Sequence, residues 1–281
     1  FDPMVLAQKG IVVVSVGTRL NIFGYFSLPQ LSEEQGGMSG NYGLMDEVKA
    51  LDWIYENIAA FGGDPENITV GGQSGGTAKS GALAGSPMQK GRVKRVINQS
   101  DLNWLGLGYK TMEQAEDLGR RFLVSKEIDP DISLDELRKL PADTFYGGKL
   151  SPIDMEIGSM VADGKYIKYK EPHKNVDEFA AHCDYISGGN FGESSMRLGF
   201  SLGGSTPVTE KEYYELAKAQ LGDLYEKYDF EKNFSCSGQD PDKLSRYYAA
   251  LGLKSWAGTM VNRYFGAYRK AHGMTGNTYS Y

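Results

Sequence analysis

Ser74 is the residue around which chemistry could be built in this sequence. It lies in the segment VGGQSGGTAK (70–79), between paired glycines, after a short apolar run and before small residues. A serine hydroxyl is a weak nucleophile, so catalysis requires that it be presented to a base and to hydrogen-bond donors for an oxyanion. A G-x-S-x-G turn does this by holding the serine in a strained strand-to-helix turn, with glycines where side chains would collide with the strand and helix. In such a turn the backbone N–H of Gly75 would form part of an oxyanion hole.

The same segment has two other interpretations. Gly71 and Gly76 have the separation of a phosphate-binding loop, but the lysine of that loop directly follows its second glycine, and position 77 is Thr. The segment also has no G-x-G-x-x-G dinucleotide-binding pattern. The register therefore excludes the phosphate loop, whereas a glycine-rich turn without chemistry stays open on these residues alone.

The segments around Ser74 predict the elements that would position it. GIVVVSV (10–16) is a short β-branched apolar run, typical of a strand buried on both faces. A helical face follows, ended by two glycines and made of apolar residues three and four apart: Leu44, Val48, Leu51, Ile54, Ile58 and Phe61. NITVGG (67–72) predicts the strand before the turn, and the small residues after Ser74 permit a closely packed helix. RVKRVINQS (92–100) then predicts a third strand.

The rest of the chain is predicted to be mainly helical, with two further strands. Thr111, Ser133 and Thr209 each precede Gln or Glu by three residues, which is the capping-box start of a helix. CDYISGGN (183–190) and NTYSY (277–281) predict the two strands. Because strands that alternate with helices imply crossover connections, we predict an α/β fold with a mostly parallel, doubly wound sheet.

The composition argues against several kinds of partner. The chain has 281 residues and a net charge of −6 without a long run of one sign, so it lacks the clustered basic residues of a nucleic-acid groove. No apolar run reaches the ~18 residues that a membrane span needs. Cys183 and Cys236 follow no metal or redox spacing, and we expect a buried thiol at Cys183. An export signal would lie before residue 1, so localisation is left open.

The segment GNYGLMDEVKALDWIYENIAAFGGDPENITVGGQSGG (40–76) resembles the type-B carboxylesterase family, the group that includes the cholinesterases. That family has a G-N-x-G-L-x-D-Q-x-x-A-L-x-W-V-x-x-N-I-x-x-F-G-G-D-P segment that leads to a G-E-S-A-G turn. The chain keeps these residues of it: Asn41, Gly43, Leu44, Asp46, Ala50, Leu51, Trp53, Asn57, Ile58 and Phe61 to Pro65. Gln73 replaces the family's Glu and Gly75 its Ala, but neither change removes the nucleophile or the N–H that follows it. The resemblance is strong to about Trp104 and looser afterwards.

The resemblance also implies a triad acid and a base. YISGGNFGESS (185–195) resembles the family's I-G-x-x-x-D-E-G segment, which places the acid at Glu193, where it would orient a histidine. The chain has three histidines, His173, His182 and His272. The first two precede Glu193, and the third precedes the strand 277–281, whereas the family's catalytic histidine follows that strand. We therefore assign the base to no histidine of this chain.

An α/β-hydrolase fold and hydrolysis of carboxylic esters through an acyl-enzyme on Ser74 follow from the resemblance. The mainly helical segments 105–182 and 200–275 would supply a lid and pocket walls within a single domain, 1–281. The substrate would be a small-molecule ester, and neither a metal nor an organic cofactor is implied. The family's H-G-G-G-like oxyanion loop does not occur in the chain, so we expect a central fragment, without its N-terminal strands and C-terminal end and nearly inactive by itself. The alternative is a catalytically inactive hydrolase-like module used in binding or adhesion.

Overall fold

A four-stranded parallel sheet organises the computed structural model, which describes residues 3–100, 108–146, 152–190, 209–244 and 264–281. Its strands are β1 (Ile68–Gln73), β2 (Val93–Gln99), β3 (Asp184–Gly188) and β4 (Thr278–Ser280), in that spatial order. The register pairs Gln73 with Gln99, and Gln99 with Gly188. The carboxyl ends of the first three strands therefore lie side by side at one edge of the sheet.

Helices lie around this sheet and in the segments that follow it. In chain order they are α1 (Met4–Ala7), α2 (Asn21–Tyr25), α3 (Pro29–Glu34), α4 (Tyr42–Asn57), α5 (Gly75–Ala84), α6 (Met112–Ser125), α7 (Leu134–Leu137), α8 (Pro152–Glu156), α9 (Pro172–Phe179), α10 (Glu210–Leu221), α11 (Asp223–Lys227), α12 (Phe230–Asn233) and α13 (264–271), and residues 241–244 are helical as well. Short 3-10 turns cover Ile58–Phe61, Pro87–Gln89 and Ala142–Thr144.

The four strands confirm the strand predictions made for 67–72, 92–100, 183–190 and 277–281. Since α5 connects β1 to the parallel β2, the predicted α/β crossover is present as well. The three capping predictions also hold. The hydroxyls of Thr111, Ser133 and Thr209 accept hydrogen bonds from the backbone N–H groups three residues later, at the starts of α6, α7 and α10.

Helix α4 has the predicted apolar face, with one exception. Leu44, Val48 and Leu51 are buried against the main core, and Gly62 ends the following turn with φ 81°, in the left-handed region. Phe61 was expected on the same face but is 62% exposed, where its ring meets that of Trp53. Phe61 belongs to a 3-10 turn, whose three residues per turn rotate it away from the face that a continuing α-helix would present.

The strand predicted over Gly10–Val16 is not formed, and that prediction was wrong. Residues 11–20 have neither helix nor strand, and Ile11, Val12, Val14 and Val16 are exposed rather than buried. A strand needs a hydrogen-bonded neighbour, and none of the four described strands pairs with this segment. The β-branched run therefore supplies the propensity for a strand without the partner that would make one.

Asn41, at the start of α4, forms buried hydrogen bonds to a distant part of the chain. Asn41 is fully buried, and its Nδ2 donates to the carbonyl of Val161 at 2.7 Å and to Oδ2 of Asp163 at 2.8 Å. Its Oδ1 accepts from the N–H of Val161 at 3.0 Å. The other oxygen of Asp163 accepts from the N–H groups of residues 165, 166 and 167. The buried polar atoms of the Asn41 side chain are thus all hydrogen-bonded. These bonds hold the start of α4 against the turn at 161–167.

Three apolar cores hold the described elements together. The main core joins the sheet to α4, α5, α9 and α13, the second packs α2 and its neighbours against α6, and the third lies within α10 to α12. Cys183 is a buried free thiol in the main core, as predicted. Among the described residues no helix is both long and apolar enough to cross a bilayer, and no cluster of three metal-binding side chains occurs.

Candidate active site

Ser74 lies at the junction of β1 and α5, in an unusual backbone conformation. It follows the last residue of β1 and is the N-cap of α5, with φ 55° and ψ −117°. Its carbonyl accepts from the N–H of Thr77 at 2.9 Å and from the Thr77 hydroxyl at 2.6 Å. Its side chain makes no capping hydrogen bond to the helix, and the residue is exposed. The hydroxyl of Ser74 thus stands free at a helix start where most serines use it as a cap.

The glycines around Ser74 do not all serve the same purpose. A Cβ at position 72 would lie 2.4 Å from the carbonyl carbon of Gly76, so only glycine fits there. A Cβ at Gly75 or at Gly76 would meet nothing within 4 Å. The expectation that the flanking glycines avoid collisions therefore holds for Gly72 and is wrong for Gly76. The backbone of Gly76 lies against Gly72, and it is this contact that leaves no room for a side chain at position 72.

Backbone hydrogen bonds tie this turn to the carboxyl edge of the sheet. The N–H of Ser74 donates to the carbonyl of Gln99 at 2.9 Å, and the N–H of Ser100 donates to the carbonyl of Gly188 at 2.7 Å. The residues that follow β1, β2 and β3 therefore stand next to one another. Glu193, the triad acid implied by the resemblance, follows β3 by a few residues but lies outside the described residues.

Gly75 is the first residue of α5, a helix of 10 residues. Its N–H is one of the first-turn donors for which an α-helix has no internal acceptor, and it lies at the positive end of the helix dipole. A negatively charged oxygen beside Ser74 would be stabilised by both effects. The geometry of this helix start is thus compatible with the oxyanion role that the sequence predicts for Gly75.

Two of the three histidines, His182 and His272, lie near the amino ends of β2 and β4, away from the edge that holds Ser74. Nε2 of His182 is 3.1 Å from the carbonyl of Val93, the first residue of β2. His272 follows α13, stacks on Tyr268 with ring centroids 3.9 Å apart, and has Nδ1 2.8 Å from the carbonyl of that tyrosine. His173 meets the same ring edge-on at 5.8 Å. Since a strand of six residues spans about 20 Å, the imidazole of His182 at the amino end of β2 is far from Ser74 at the carboxyl end of β1.

A partly buried ion pair joins α5 to α4, and the sequence analysis did not identify it. Lys79 of α5 reaches Glu47 of α4, with Nζ 4.0 Å from Oε1, and donates to the hydroxyl of Thr18 at 2.7 Å. Burial raises the pKa of Glu47 to about 7. One sequence signal could have found this pair, because Glu47 stands where the family pattern has Gln and Lys79 is the only charged residue of α5.

A cavity of about 1010 Å³ opens beside the start of α5. Gly75, Thr77 and Ala78 form its α5 wall, and Tyr185 and Phe265 line it from β3 and α13. Charged side chains lie farther around its wall, including Lys110 and Glu156, whose ion pair measures 3.0 Å. The cavity therefore combines an apolar wall next to Gly75 with a polar rim.

A parallel sheet with crossover helices and a strained serine turn at its carboxyl edge define the α/β-hydrolase class. The structure superposes on the crystal structure of the carboxylesterase EST55 of Geobacillus stearothermophilus at pH 6.2, with a TM-score of 0.74, 26% sequence identity and 99% of this chain covered. The carboxylesterase family model matches residues 1–249. The chain therefore belongs to the carboxylesterase family.

Curated relatives of the chain include named esterases. Over 210 residues (65% of the chain) it is 31% identical to the fumonisin B1 esterase of Sphingopyxis macrogoltabida. Over 144 residues (51% of the chain) it is 37% identical to the para-nitrobenzyl esterase of Bacillus subtilis. The matches take in only part of each relative: 39% of the first, 28% of the second and 57% of the EST55 chain.

Proposed function

We propose that this protein is a serine carboxylic-ester hydrolase that acts through an acyl-enzyme on Ser74. The observation that carries the proposal is the backbone of Ser74, a non-glycine residue held at φ 55° between β1 and α5 with its hydroxyl free of the helix. Such strain persists only where the surrounding structure enforces it, and it clusters at active sites. The names of the esterase relatives support carboxylic esters as the substrate class.

In the proposed reaction, Oγ of Ser74 attacks the ester carbonyl carbon while its proton passes to a histidine. The N–H of Gly75 donates to the carbonyl oxygen as that oxygen becomes negative. The carbon–oxygen bond to the alcohol then breaks, and the alcohol leaves with the proton from the histidine. Water attacks the acyl-enzyme by the same steps and releases the acid. The reaction needs neither a metal ion nor an organic cofactor.

Glu193 is the proposed partner of that histidine. Its carboxylate would hold the imidazole in one tautomer and stabilise the charged form. The base itself is proposed to be none of His173, His182 and His272, because the first two precede Glu193 and the third precedes β4, whereas the resemblance implies a histidine after that strand. This assignment makes the isolated chain a poor catalyst even though it contains the nucleophile.

The cavity beside Gly75 is the proposed chamber for one side of a small-molecule ester. Its apolar wall of Ala78, Tyr185 and Phe265 suits an acyl or aryl group, whereas its rim of ion pairs suits contact with solvent. The volume of about 1010 Å³ is large enough for a drug-sized molecule.

Covalent labelling with a fluorophosphonate probe tests the nucleophile, because the probe reacts with activated serines whether or not turnover follows. In the complete gene product, which supplies the base, we expect an adduct on the peptide that contains Ser74, and none in Ser74→Ala. Ser159→Ala is the matched control, since Ser159 also lines the cavity but lies outside the turn. Labelling that persists unchanged in Ser74→Ala would overturn the proposal.

Hydrolysis of a short-chain aryl ester tests the rest of the mechanism. We expect Ser74-dependent turnover in the complete gene product and little or none in the 281-residue chain. A complete gene product that is neither labelled at Ser74 nor active would favour the inactive binding module. Robust turnover by the 281-residue chain would contradict the assignment of the base.

A further inference from the structure

Helix α5, which begins directly after Ser74, carries one long charged side chain, that of Lys79. Its sequence is GGTAKSGALA, so every other side chain in it is small or, at Leu83, purely apolar. Lys79 reaches toward α4 and α2, whereas the hydroxyl of Ser80 donates to Oδ1 of Asn98 on β2 at 3.2 Å. Lys79 lies five residues after Ser74, on the second turn of the helix, where a movement would be passed on to the serine turn.

Lys79 contacts three separate elements. Its Nζ lies 4.0 Å from Oε1 of Glu47 on α4 and donates to the hydroxyl of Thr18 at 2.7 Å. The ammonium also lies 6.0 Å from the ring centroid of Tyr25 on α2. The side chains of Lys79 and Glu47 are only 20% and 10% exposed. The ion pair therefore lies largely out of water, where screening is weak and geometry is well defined.

The attraction between Glu47 and Lys79 is offset by the free energy needed to remove both charges from water. Burying a carboxylate and an ammonium requires desolvation that their attraction does not always repay, and neutral replacements of buried pairs are often neutral or stabilising. Glu47 also faces Asp46 of its own helix, although Arg19 binds Asp46 at 2.7 Å. Burial raises the pKa of Glu47 to about 7, with Lys79 opposing the shift and Asp46 adding to it. Because burying Glu47 costs this desolvation energy, we look for a role of the pair other than stability.

We propose that Glu47 and Lys79 are a positioning pair that sets the orientation of α5 and, through it, the geometry of the Ser74 turn. From the other side the turn is held by the hydrogen bond from the Ser74 N–H to Gln99. The two attachments, one to β2 and one to α4, hold the start of α5 between them. Neither Glu47 nor Lys79 lines the cavity beside Gly75. For its effect on catalysis the inference rests on the proposed function of Ser74.

Amide hydrogen exchange of residues 77–81 at pH 8 tests the pair without requiring activity. We expect exchange to accelerate by about fivefold or more in Glu47→Gln and in Lys79→Met, since the charged contact is lost in both. The charge-reversed variant that combines Glu47→Lys with Lys79→Glu restores the pair, so protection should return in part. Asp52→Asn is the matched control, because Asp52 on the same helix pairs with Arg92 before β2 rather than with α5. Its exchange at residues 77–81 should match that of the wild type.

The fluorophosphonate labelling rate of Ser74, followed from pH 5 to pH 9 in the complete gene product, tests the consequence for the site. The histidine base contributes a pH dependence to both proteins, and we expect the wild type to show an additional transition near pH 7 that Glu47→Gln lacks. The positioning role would be overturned by unchanged exchange in both single variants. It would also be overturned if the labelling profiles of the wild type and Glu47→Gln coincide. If Ser74 is not labelled even in the wild type, the proposed function fails, and the exchange experiment still decides whether the pair sets α5. If Lys79→Met does not fold, Glu47→Gln carries the test.

Discussion

The N–H of Ser74 donates a hydrogen bond of 2.9 Å to the carbonyl oxygen of Gln99, the last residue of β2. This bond extends the β1–β2 ladder by one residue into the turn, so the sheet itself holds the serine as the chain reverses into α5. The strain at φ 55° is therefore supported by the regular structure on which the turn is built. Four predictions follow from this arrangement and from the groups that surround it.

Replacing Ser74 by glycine should stabilise the protein. Glycine adopts positive φ without steric cost, whereas serine at φ 55° and ψ −117° is strained. We expect Ser74→Gly to have a free energy of unfolding about 1 kcal/mol higher than Ser74→Ala, which keeps the strain. Urea unfolding of the two variants makes the comparison, and both should fail to react with the fluorophosphonate. Equal stabilities would mean that the turn is not strained.

Replacing Gly72 by alanine should be far more damaging than the same change at Gly75. The new Cβ at position 72 would lie 2.4 Å from the carbonyl carbon of Gly76, and both groups belong to the backbone-held turn. We expect a loss of about 2 kcal/mol or more in the free energy of unfolding. Gly75→Ala is the control, because its Cβ meets nothing within 4 Å, and it should stay within about 0.5 kcal/mol of the wild type. Similar losses in the two variants would contradict the collision at Gly72.

The stability of the protein should depend on pH through Glu47. Its pKa is raised from 4.5 to about 7 in the folded state, so the folded protein binds the proton more tightly than the unfolded chain. Stability from this group is fully present below pH 4.5 and is lost as pH rises through 7. By linkage the loss amounts to about 3 kcal/mol at pH 8.

Glu47→Gln removes this proton linkage and isolates the effect. We expect the free energy of unfolding of the variant, relative to the wild type, to increase from pH 5 to pH 8, as measured by urea unfolding at intervals of half a pH unit. Parallel pH profiles for the two proteins would show that Glu47 has an ordinary pKa. Together with the exchange experiment this gives an unusual combination: from pH 5 to pH 8 the variant gains stability relative to the wild type, and yet at pH 8 it is looser at α5.

Arg269 should not be replaceable by lysine. It is 1% exposed, and its Nη2 donates to the carbonyl of Cys183 at 2.7 Å while its Nε donates to the hydroxyl of Thr278 at 3.0 Å. A lysine cannot reproduce the planar fork of donors and would leave buried acceptors unpaired. We expect Arg269→Lys to lose about 3 kcal/mol and to loosen β4 against β3. Exposed Arg121, paired with Asp117 on its own helix, is the control, and Arg121→Lys should change stability by less than about 0.5 kcal/mol. Thermal unfolding measures the stability of both variants. Equal losses of stability would argue against a structural role of the buried Arg269 guanidinium.

Local elements were predictable from the sequence because their signals are local. The apolar spacing of Leu44, Val48 and Leu51 encodes the buried face of α4, and Thr111 and Thr209 encode helix starts through bonds that span three residues. The serine turn was predictable for the same reason, since the glycines and the serine that form it are consecutive. The family segment from Gly40 to Gly76 extended that prediction from a turn to a class of chemistry.

The sequence by itself determined α4, α5, α6, α7 and α10, the four strands and the turn that contains Ser74, since periodicity and capping act between residues close in the chain. Only the tertiary structure decided whether a strand has a neighbour, and it left Gly10–Val16 without one among the described strands. Only the tertiary structure, likewise, set Lys79 against Glu47 and placed His182 and His272 at the amino ends of the strands. Strand pairing and the desolvation of charges depend on groups brought together from distant positions, and no local pattern records which groups those will be.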